Sequence, residues 1–184
     1  PVVLTVGSGI TIHGSQGGLL APASSFDSIL NQGLISSETS GQTITISATL
    51  NNAGTLETRS GAVISTNGGG SNSGLIRTVN GGAVSISSPW VNTGTLNVNG
   101  GGALNLTGNF NTNIAVEFGA GGGALNLNGT FTNTGRTLSG NGGGSGTGTG
   151  NFGVSIQSSS QITSVSGDIT LTGQGGLAST GGAN

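Results

Sequence analysis

The sequence predicts an all-β fold, a right-handed parallel β-helix (β-solenoid) with about 20 residues and three short strands per coil. Three observations support this prediction. An alternation of apolar and small polar residues returns at a nearly constant step, an Asn-x-Gly motif returns with the same step, and glycine and β-branched residues disfavour helix throughout. Parallel crossovers are right-handed by default, so we expect the coil to have that hand.

The first repeated feature is a short strand with a period of two. Apolar residues stand two positions apart with a small polar residue between them, which is the pattern of a half-buried strand. Successive copies of this alternation follow Gln42, Ala62, Gly82, Gly102 and Gly123. The predicted inward positions are Ile44 and Ile46, Ile64 and Thr66, Val84 and Ile86, Leu104 and Leu106, and Leu125 and Leu127.

The second repeated feature is an asparagine two positions before a glycine. We predict that this motif forms a corner of each coil, where the glycine supplies a positive φ and the asparagines hydrogen-bond to their equivalents one coil above and below. In the fifth coil either Thr112 or Asn111 takes the asparagine position, and both registers remain open. The motif residues are Asn31 and Gly33, Asn52 and Gly54, Asn72 and Gly74, Asn92 and Gly94, and Asn133 and Gly135.

The third repeated feature is a column of large apolar residues, Leu50, Gly70, Trp90, Phe110 and Phe131, in which Gly70 is the exception. We expect these side chains to stack in the core; an exposed aromatic row would instead indicate sugar binding. One repeat unit cannot fold alone, because about six inward residues contribute only ~1.5–3 kcal/mol each against ~1–2 kcal/mol of backbone ordering per residue. Units stacked in register share strand hydrogen bonds and bury their inward columns.

The chain divides into three parts along its length. Residues 1–30 break the repeat step and are predicted to form one or two irregular coils, residues 31–139 form the regular solenoid, and residues 140–184 form a Gly-rich loop followed by further coils of the same solenoid. The chain begins at Pro1 without Met, and neither end carries a charged cap. We therefore expect it to be part of a longer polypeptide.

The composition argues against several classes of function. The chain has 3 basic and 5 acidic residues and no cysteine. We therefore predict no disulfide framework, no thiolate metal site and no nucleic-acid partner. No apolar run is long enough to cross a bilayer as a helix. His13 is the single histidine, with no other ligand type clustered near it, so we predict no metal and no other cofactor.

The few charged residues are spaced like structural ion pairs. Glu57 is separated from Arg77 by one repeat step, and so is Glu38 from Arg59, so each pair falls on adjacent coils. A glycoside hydrolase needs two carboxyl groups ~5–9.5 Å apart. Glu57 and Glu117 share a column but are three coils apart, which is about 14 Å. We therefore predict that the chain is not an enzyme.

The Asn-x-Gly-Thr-Leu units and the later stretch GVSI…ITSVSGDITLTGQGG resemble the repeats of filamentous-haemagglutinin-like and autotransporter-like giant bacterial surface proteins. The likeness covers residues 31–176. It implies a segment of a long β-helical shaft that is exported across the outer membrane and serves adhesion or a matrix. The implied location is extracellular or on the bacterial cell surface.

Together these features predict a non-enzymatic structural segment of a secreted or cell-surface bacterial adhesin or matrix fibre. Its expected partners are further copies of itself, associating end to end or laterally, and surface glycans or a receptor on a host or neighbouring cell. The alternative is a carbohydrate-binding or polysaccharide-degrading β-helix protein. That alternative predicts a groove with converging acids or an exposed aromatic row on one face.

Overall fold

The fold is a stack of parallel coils built from short strands. The computed structural model describes residues 1–87, 89–112, 116–118, 123–134, 138–142, 154–156, 161–165 and 169–173. Within these ranges the chain forms strands and no helix, and the coils contain about 21 residues each. The predicted all-β solenoid is therefore confirmed.

The strands form three sheets, which we call A, B and C, and successive coils add one strand to each sheet. Sheet A contains β1 (Val3–Val6), β4 (Ser28–Asn31), β7 (Thr49–Asn52), β10 (Gly70–Asn72), β13 (Trp90–Asn92), β16 (Asn109–Thr112), β19 (Thr130–Asn133) and β22 (Gln161–Ser164). Sheet B contains β2 (Thr11–Gly14), β5 (Leu34–Ser37), β8 (Thr55–Arg59), β11 (Leu75–Val79), β14 (Thr95–Val98), β17 (Val116–Phe118), β20 (Leu138–Gly142) and β23 (Ile169–Gly173). Sheet C contains β3 (Gly18–Leu20), β6 (Thr43–Ile46), β9 (Val63–Thr66), β12 (Ala83–Ile86), β15 (Ala103–Leu106), β18 (Ala124–Leu127) and β21 (Val154–Ile156).

Equivalent residues of successive coils lie directly above one another. Val84 pairs with Ile64 on one side and with Leu104 on the other, and both pairings are parallel. This is the register that the repeat step predicts. Because parallel strands keep the same residue on the same face, each inward position becomes a continuous column along the solenoid.

The core lies between the three sheets and consists of these stacked columns. Trp90, Phe110 and Phe131 are fully buried, as the sequence predicts, and Phe110 and Phe131 stack with ring centroids 5.6 Å apart and an interplanar angle of 11°. Their burial rules out the exposed aromatic row for these three side chains. Aliphatic columns from sheets B and C complete the core, and the fully buried members include Ile35, Ile46, Leu56, Ile64, Ile76, Val84 and Leu104.

The register of the fifth coil, which the sequence left open, follows the strict repeat. Thr112 pairs with Asn92 below it and with Asn133 above it, so threonine occupies the asparagine position. Glu117 pairs with Asn97, which keeps the following strand in the same register. Cross-strand pairing of the aromatic column therefore outweighs the preference for asparagine at this position.

The first coil and the last described coil are longer than those between them. Val3 pairs with Ser28, and Thr130 pairs with Gln161, so each of these coils exceeds the repeat step of the regular region. Within the predicted irregular segment 1–30, residues 1–27 form one long coil that adds a strand to each sheet before β4 begins at Ser28. The predicted Gly-rich segment begins inside a strand, because β20 extends to Gly142; residues 143–153 lie outside the described ranges.

Candidate functional site

The chain passes from sheet A to sheet B through the Asn-x-Gly motif, and we call this turn the A–B corner. Its asparagines are fully buried and form the predicted ladder. Asn31 donates from Nδ2 to Oδ1 of Asn52, Asn52 donates to Asn72, and Asn72 donates to Asn92, each at 2.6 Å. Because every amide points the same way, the bonds form one continuous hydrogen-bonded chain along the solenoid axis.

The ladder continues into the irregular fifth coil and is tied to the backbone along its length. Asn92 donates to Oγ1 of Thr112 at 3.2 Å, so the hydroxyl replaces the missing amide oxygen. Asn133 lies at the next position of the column and is also fully buried. Asn52 donates to the carbonyl oxygens of Gly54 and Leu75 at 3.3 and 3.2 Å. The ladder therefore pairs buried polar groups that would otherwise be costly to desolvate.

The prediction that the glycines of the A–B corner supply a positive φ is wrong. Gly54, Gly74 and Gly94 are absent from the positive-φ residues. A Cβ on Gly74 would instead lie well under 3.0 Å from the carbonyl oxygen of Gly54, and one on Gly94 would meet Gly74 in the same way. These positions need glycine because successive coils approach too closely for any side chain. Gly135, the last predicted member, lies outside the described residues.

Positive φ values occur instead where the chain passes from sheet B to sheet C, which we call the B–C corner (residues 60–62, 80–82 and 99–102). The paired positive-φ residues are Ser60 and Gly61, Asn80 and Gly81, and Gly100 and Gly101. In each turn a backbone bond closes the four residues, for example from the N–H of Ala62 to the carbonyl of Arg59 at 2.8 Å. Turns of this kind favour Asn-Gly, so the dipeptide at 80–81 was the sequence signal for this corner.

Sheet B carries a polar column on its outer face. Its members pair in register on successive strands and are His13, Ser36, Glu57, Arg77 and Asn97. Glu57 is fully buried although it faces outward, and it contacts Arg59 on its own strand and Arg77 on the adjacent strand. Glu117 is next in this column, opposite Asn97.

The Glu57 carboxylate is held between two guanidinium groups. Arg77 contacts Oε2 from the strand above, as the repeat spacing predicts, and Arg59 contacts Oε1 from the same strand. Both arginines use Nε, and both side chains remain partly exposed. The buried Glu57 carboxylate therefore links two adjacent coils through Arg77. It also binds Arg59, the residue that precedes the B–C corner.

The predicted pairing of Glu38 with Arg59 does not form as an ion pair. Arg59 bonds to Glu57, which lies on the same strand and the same face, and Glu38 lies 4.0 Å from Nδ1 of His13. Glu38 lies one residue beyond the end of β5. The pairing of β5 with β8 ends at Ser37 and Thr58, so Glu38 and Arg59 are not paired across the sheet. Its charge still contributes to raising the pKa of Arg59, after the larger effects of the hydrogen bond and charge of Glu57.

The two arginines also set the protonation of Glu57. Burial by itself raises the pKa of this carboxyl, but hydrogen bonds and charge from Arg59 and Arg77 outweigh burial, so the pKa lies below its ordinary value. Glu57 is therefore ionised at neutral pH. Because both of its oxygens contact an arginine, it is poorly placed to accept a proton from a substrate or donate one to it.

Two further polar features were not predicted from the sequence. Asp27 accepts the N–H groups of Val2 and Ser24 at 2.8 and 2.9 Å and so fastens the first strand to the second coil. The signal for it was the Ser-x-x-Asp spacing at 24–27, which is typical of local side-chain capping. On the outer face of sheet C, Nδ2 of Asn126 donates to Oδ1 of Asn105 at 2.7 Å. Asparagines of adjacent coils therefore also bond to each other outside the buried ladder.

Among the described residues, no group of three or more His, Cys, Asp or Glu side chains could hold a metal ion. The same part of the chain has no helix long and apolar enough to cross a membrane. In comparisons with known proteins, the chain matches no protein-family model, no curated protein and no solved structure.

Proposed function

We propose that this chain is a non-enzymatic structural segment of a secreted or cell-surface bacterial adhesin or matrix fibre. In this role it supplies length and rigidity to a shaft and contacts further copies, surface glycans or a receptor on another cell. The resemblance of its Asn-x-Gly-Thr-Leu units to the repeats of filamentous-haemagglutinin-like proteins supports this proposal. The absence of cysteine is compatible with an oxidising exterior.

The asparagine ladder is the main observation that supports a structural role. It lies inside the coil, so its side chains stabilise the stack and are inaccessible to a ligand. Each added coil extends the ladder by one bond and buries a further set of aliphatic side chains, as in other repeat proteins whose stability grows with length. Such an arrangement suits a rod that must resist bending.

The electrostatics of Glu57 support the same conclusion. A catalytic carboxylate needs an oxygen free to reach its substrate, whereas Arg59 and Arg77 occupy both oxygens of Glu57. Its lowered pKa also makes it a poor general acid at neutral pH. The charged groups of sheet B therefore fit a joint between coils better than a reaction centre.

Surface labelling tests the proposed location. Antibodies raised against the 184-residue chain are applied to intact cells of the source organism, before and after mild external protease treatment. We expect labelling of intact cells that protease removes. Labelling that appears only after cell lysis would contradict a surface or secreted location.

The alternative function, carbohydrate binding or polysaccharide degradation, is favoured by the outer face of sheet B. His13, Arg77 and Asn97 lie in one outward column of this sheet and offer donors and acceptors that can bond to the hydroxyls of a glycan chain. Retention of the protein on immobilised neutral and acidic polysaccharides tests this alternative. Retention lost in Arg77→Ala would support glycan binding, and release of reducing ends abolished by Glu57→Gln would overturn the non-enzymatic assignment.

A further inference from the structure

The middle of sheet B carries two arginines on its outer face, Arg59 and Arg77, which we call the arginine pair. Their strands, β8 and β11, each have a neighbouring strand on both sides. The side chain of Arg59 is 47% exposed and that of Arg77 is 39% exposed, whereas Glu57 between them has no exposed surface. At this place on the sheet, solvent therefore meets the two cations and not the anion that they flank.

Each arginine of the pair can form hydrogen bonds beyond its contact with Glu57. Both arginines approach the carboxylate through Nε. A guanidinium has five N–H donors and no acceptor, so this contact leaves the N–H groups on both Nη atoms for a further partner. Because the two guanidinium groups contact the oxygens of one carboxylate, they are close enough for a single oxyanion to accept hydrogen bonds from both.

The charge balance at the arginine pair indicates the chemistry of such a partner. Glu57 is ionised at neutral pH, so two positive groups and one negative group leave one positive charge uncompensated. A neutral sugar hydroxyl both donates and accepts, whereas the arginine pair offers only donors and the oxygens of Glu57 are occupied. These conditions favour a carboxylate or sulfate group, which accepts hydrogen bonds and is negatively charged.

The neighbours of the arginine pair differ on its two sides. Asn97 pairs in register with Arg77 and is exposed on the outer face of β14. Its Oδ1 accepts a hydrogen bond from Nδ2 of Asn99, so its own amide N–H₂ group is the part left to donate elsewhere. On the other side, Glu38 is exposed, and its charge acts on Arg59. An anion is therefore attracted to the side of Asn97 and repelled from the side of Glu38.

We propose that the arginine pair binds the carboxylate or sulfate group of an acidic glycan. This inference rests on the proposed function, in which surface glycans are among the partners, and it specifies the class of glycan. Arg59 and Arg77 donate to the oxyanion from their Nη atoms while their Nε atoms stay on Glu57. The contact with Glu57 orders both side chains before the glycan arrives, so less side-chain entropy is lost on binding.

Binding of the 184-residue chain to soluble polymers tests the proposal. Polygalacturonate carries carboxylates, dextran sulfate carries sulfates, and dextran is neutral. Biolayer interferometry on the immobilised chain measures the affinity for each polymer. We expect binding of at least one acidic polymer and no binding of dextran, and the acidic polymer that binds more tightly identifies the oxyanion. Equal binding of dextran, or no binding of either acidic polymer, would overturn the proposal.

A lysine variant separates the paired geometry from simple charge attraction. Arg77→Lys keeps the positive charge, but its single ammonium lacks the planar fork that serves Glu57 and the glycan together. We expect the affinity for the acidic polymer to fall about 10-fold or more, as in Arg77→Ala. Unchanged binding by Arg77→Lys would overturn the proposal.

The control for net charge lies on a different sheet. Asn51→Asp lowers the net charge by the same amount as Arg77→Ala, but on the outer face of sheet A, and it should bind like the unmodified chain. A loss in Asn51→Asp equal to that in Arg77→Ala would mean that the polymer responds to overall charge, which would overturn the site. Far-UV circular dichroism and urea unfolding check that each variant is folded.

A variant outside the contact with Glu57 tests the site in the opposite direction. Glu38→Gln removes the negative charge that acts on Arg59 and should bind the acidic polymer about 2-fold more tightly. This variant leaves Glu57 and both arginines in place, so its result does not depend on disturbing their contacts. Weaker binding by Glu38→Gln would contradict an anion site beside Arg59.

The outcome is separable from the proposed function. A chain that labels on the surface of intact cells but binds neither acidic polymer would refute the anion site and leave the structural role in place. A chain found only inside cells that binds an acidic polymer through Arg77 would do the reverse.

Discussion

Two of the three corners of a coil, the A–B corner and the B–C corner, use glycine for different physical reasons. At the A–B corner, Gly74 has no positive φ, and its Cβ position is filled by the backbone of the coil below. At the B–C corner, Gly81 has a φ of 81°, and the nearest atom to its Cβ position is 3.9 Å away. One glycine is required by the spacing between coils and the other by the local backbone conformation.

The two corners are also supported differently. The A–B corner is tied together by buried asparagines whose amides bond from coil to coil. The B–C corner is closed by a backbone hydrogen bond within each turn, with Arg59 and Glu57 beside it on the outer face. We therefore expect the A–B corner to tolerate substitution far less than the B–C corner.

The largest expected effect is that of alanine at an A–B glycine. Gly74→Ala forces a methyl group against the carbonyl of Gly54 and should lower the free energy of unfolding by at least about 3 kcal/mol, because the coils must separate. Gly81→Ala has room for its methyl and should cost only about 1 kcal/mol, which reflects its left-handed backbone. Urea unfolding measures both values, and equal losses would contradict the distinction between the corners.

Breaking the ladder should have the next largest effect. Asn72→Leu keeps the number of side-chain heavy atoms but removes the bonds to Asn52 and Asn92, so the buried Oδ1 of Asn92 loses its donor and Nδ2 of Asn52 loses its side-chain acceptor. We expect a loss of about 2–4 kcal/mol in the free energy of unfolding.

The control for the ladder is an exposed asparagine of the same sheet. Asn111→Leu lies on the outer face of β16 and should change the unfolding free energy by no more than about 0.5 kcal/mol. An Asn72→Leu variant as stable as this control would mean that the ladder contributes nothing to the A–B corner.

The charges beside the B–C corner should have a smaller, pH-dependent effect. The folded pKa of Glu57 is lowered, so its contribution to stability is complete above its unfolded pKa of about 4.5 and is lost as pH falls through the folded value. Glu57→Gln should therefore cost about 1–2 kcal/mol at pH 7 and progressively less in acid.

Urea midpoints of Glu57→Gln and of the unmodified chain, measured from pH 7 down to about pH 2.5, test this prediction. Their difference should shrink with decreasing pH. Glu38→Gln is the control, because Glu38 is exposed and lies 4.0 Å from Nδ1 of His13 instead of between two arginines. A difference that stays constant with pH would show that the Glu57 carboxylate is not stabilised by its arginines.

The smallest expected effect is a gain in stability at the B–C corner. Ser60 has a φ of 52°, a conformation that asparagine adopts more readily than serine. Ser60→Asn should raise the unfolding free energy by about 0.5 kcal/mol. Ser73→Asn, at the A–B corner where φ is not positive, should give no gain; a thermal melt that ranks the two variants the other way would contradict the assignment of the corners.

Much of the architecture could be predicted from the sequence, because the constant step of the repeat gives the register in which successive coils stack. The constant step placed Leu104 opposite Val84, Asn72 opposite Asn92 and Arg77 opposite Glu57. Parallel stacking turns sequence spacing directly into spatial proximity, so these contacts needed no further information.

Other features could not be obtained in this way because they depend on distances between backbones. The sequence predicted a glycine at the A–B corner but gave the wrong reason for it. Glycine is needed there because the carbonyl oxygen of the coil below leaves no room for a Cβ. The repeat step predicted that Arg59 pairs with Glu38 one coil away, whereas in the structure Arg59 pairs with Glu57 on the same strand, β8. In the fifth coil, cross-strand pairing chose Thr112 over Asn111.

The sequence by itself thus determined the solenoid, its three strands per coil and its ladder, because identical side chains at a constant step are buried only by stacking. The tertiary structure decided which glycines are needed for space and which carboxylate each arginine contacts. These outcomes depend on how closely neighbouring coils approach, and a linear pattern of residue types does not contain that separation.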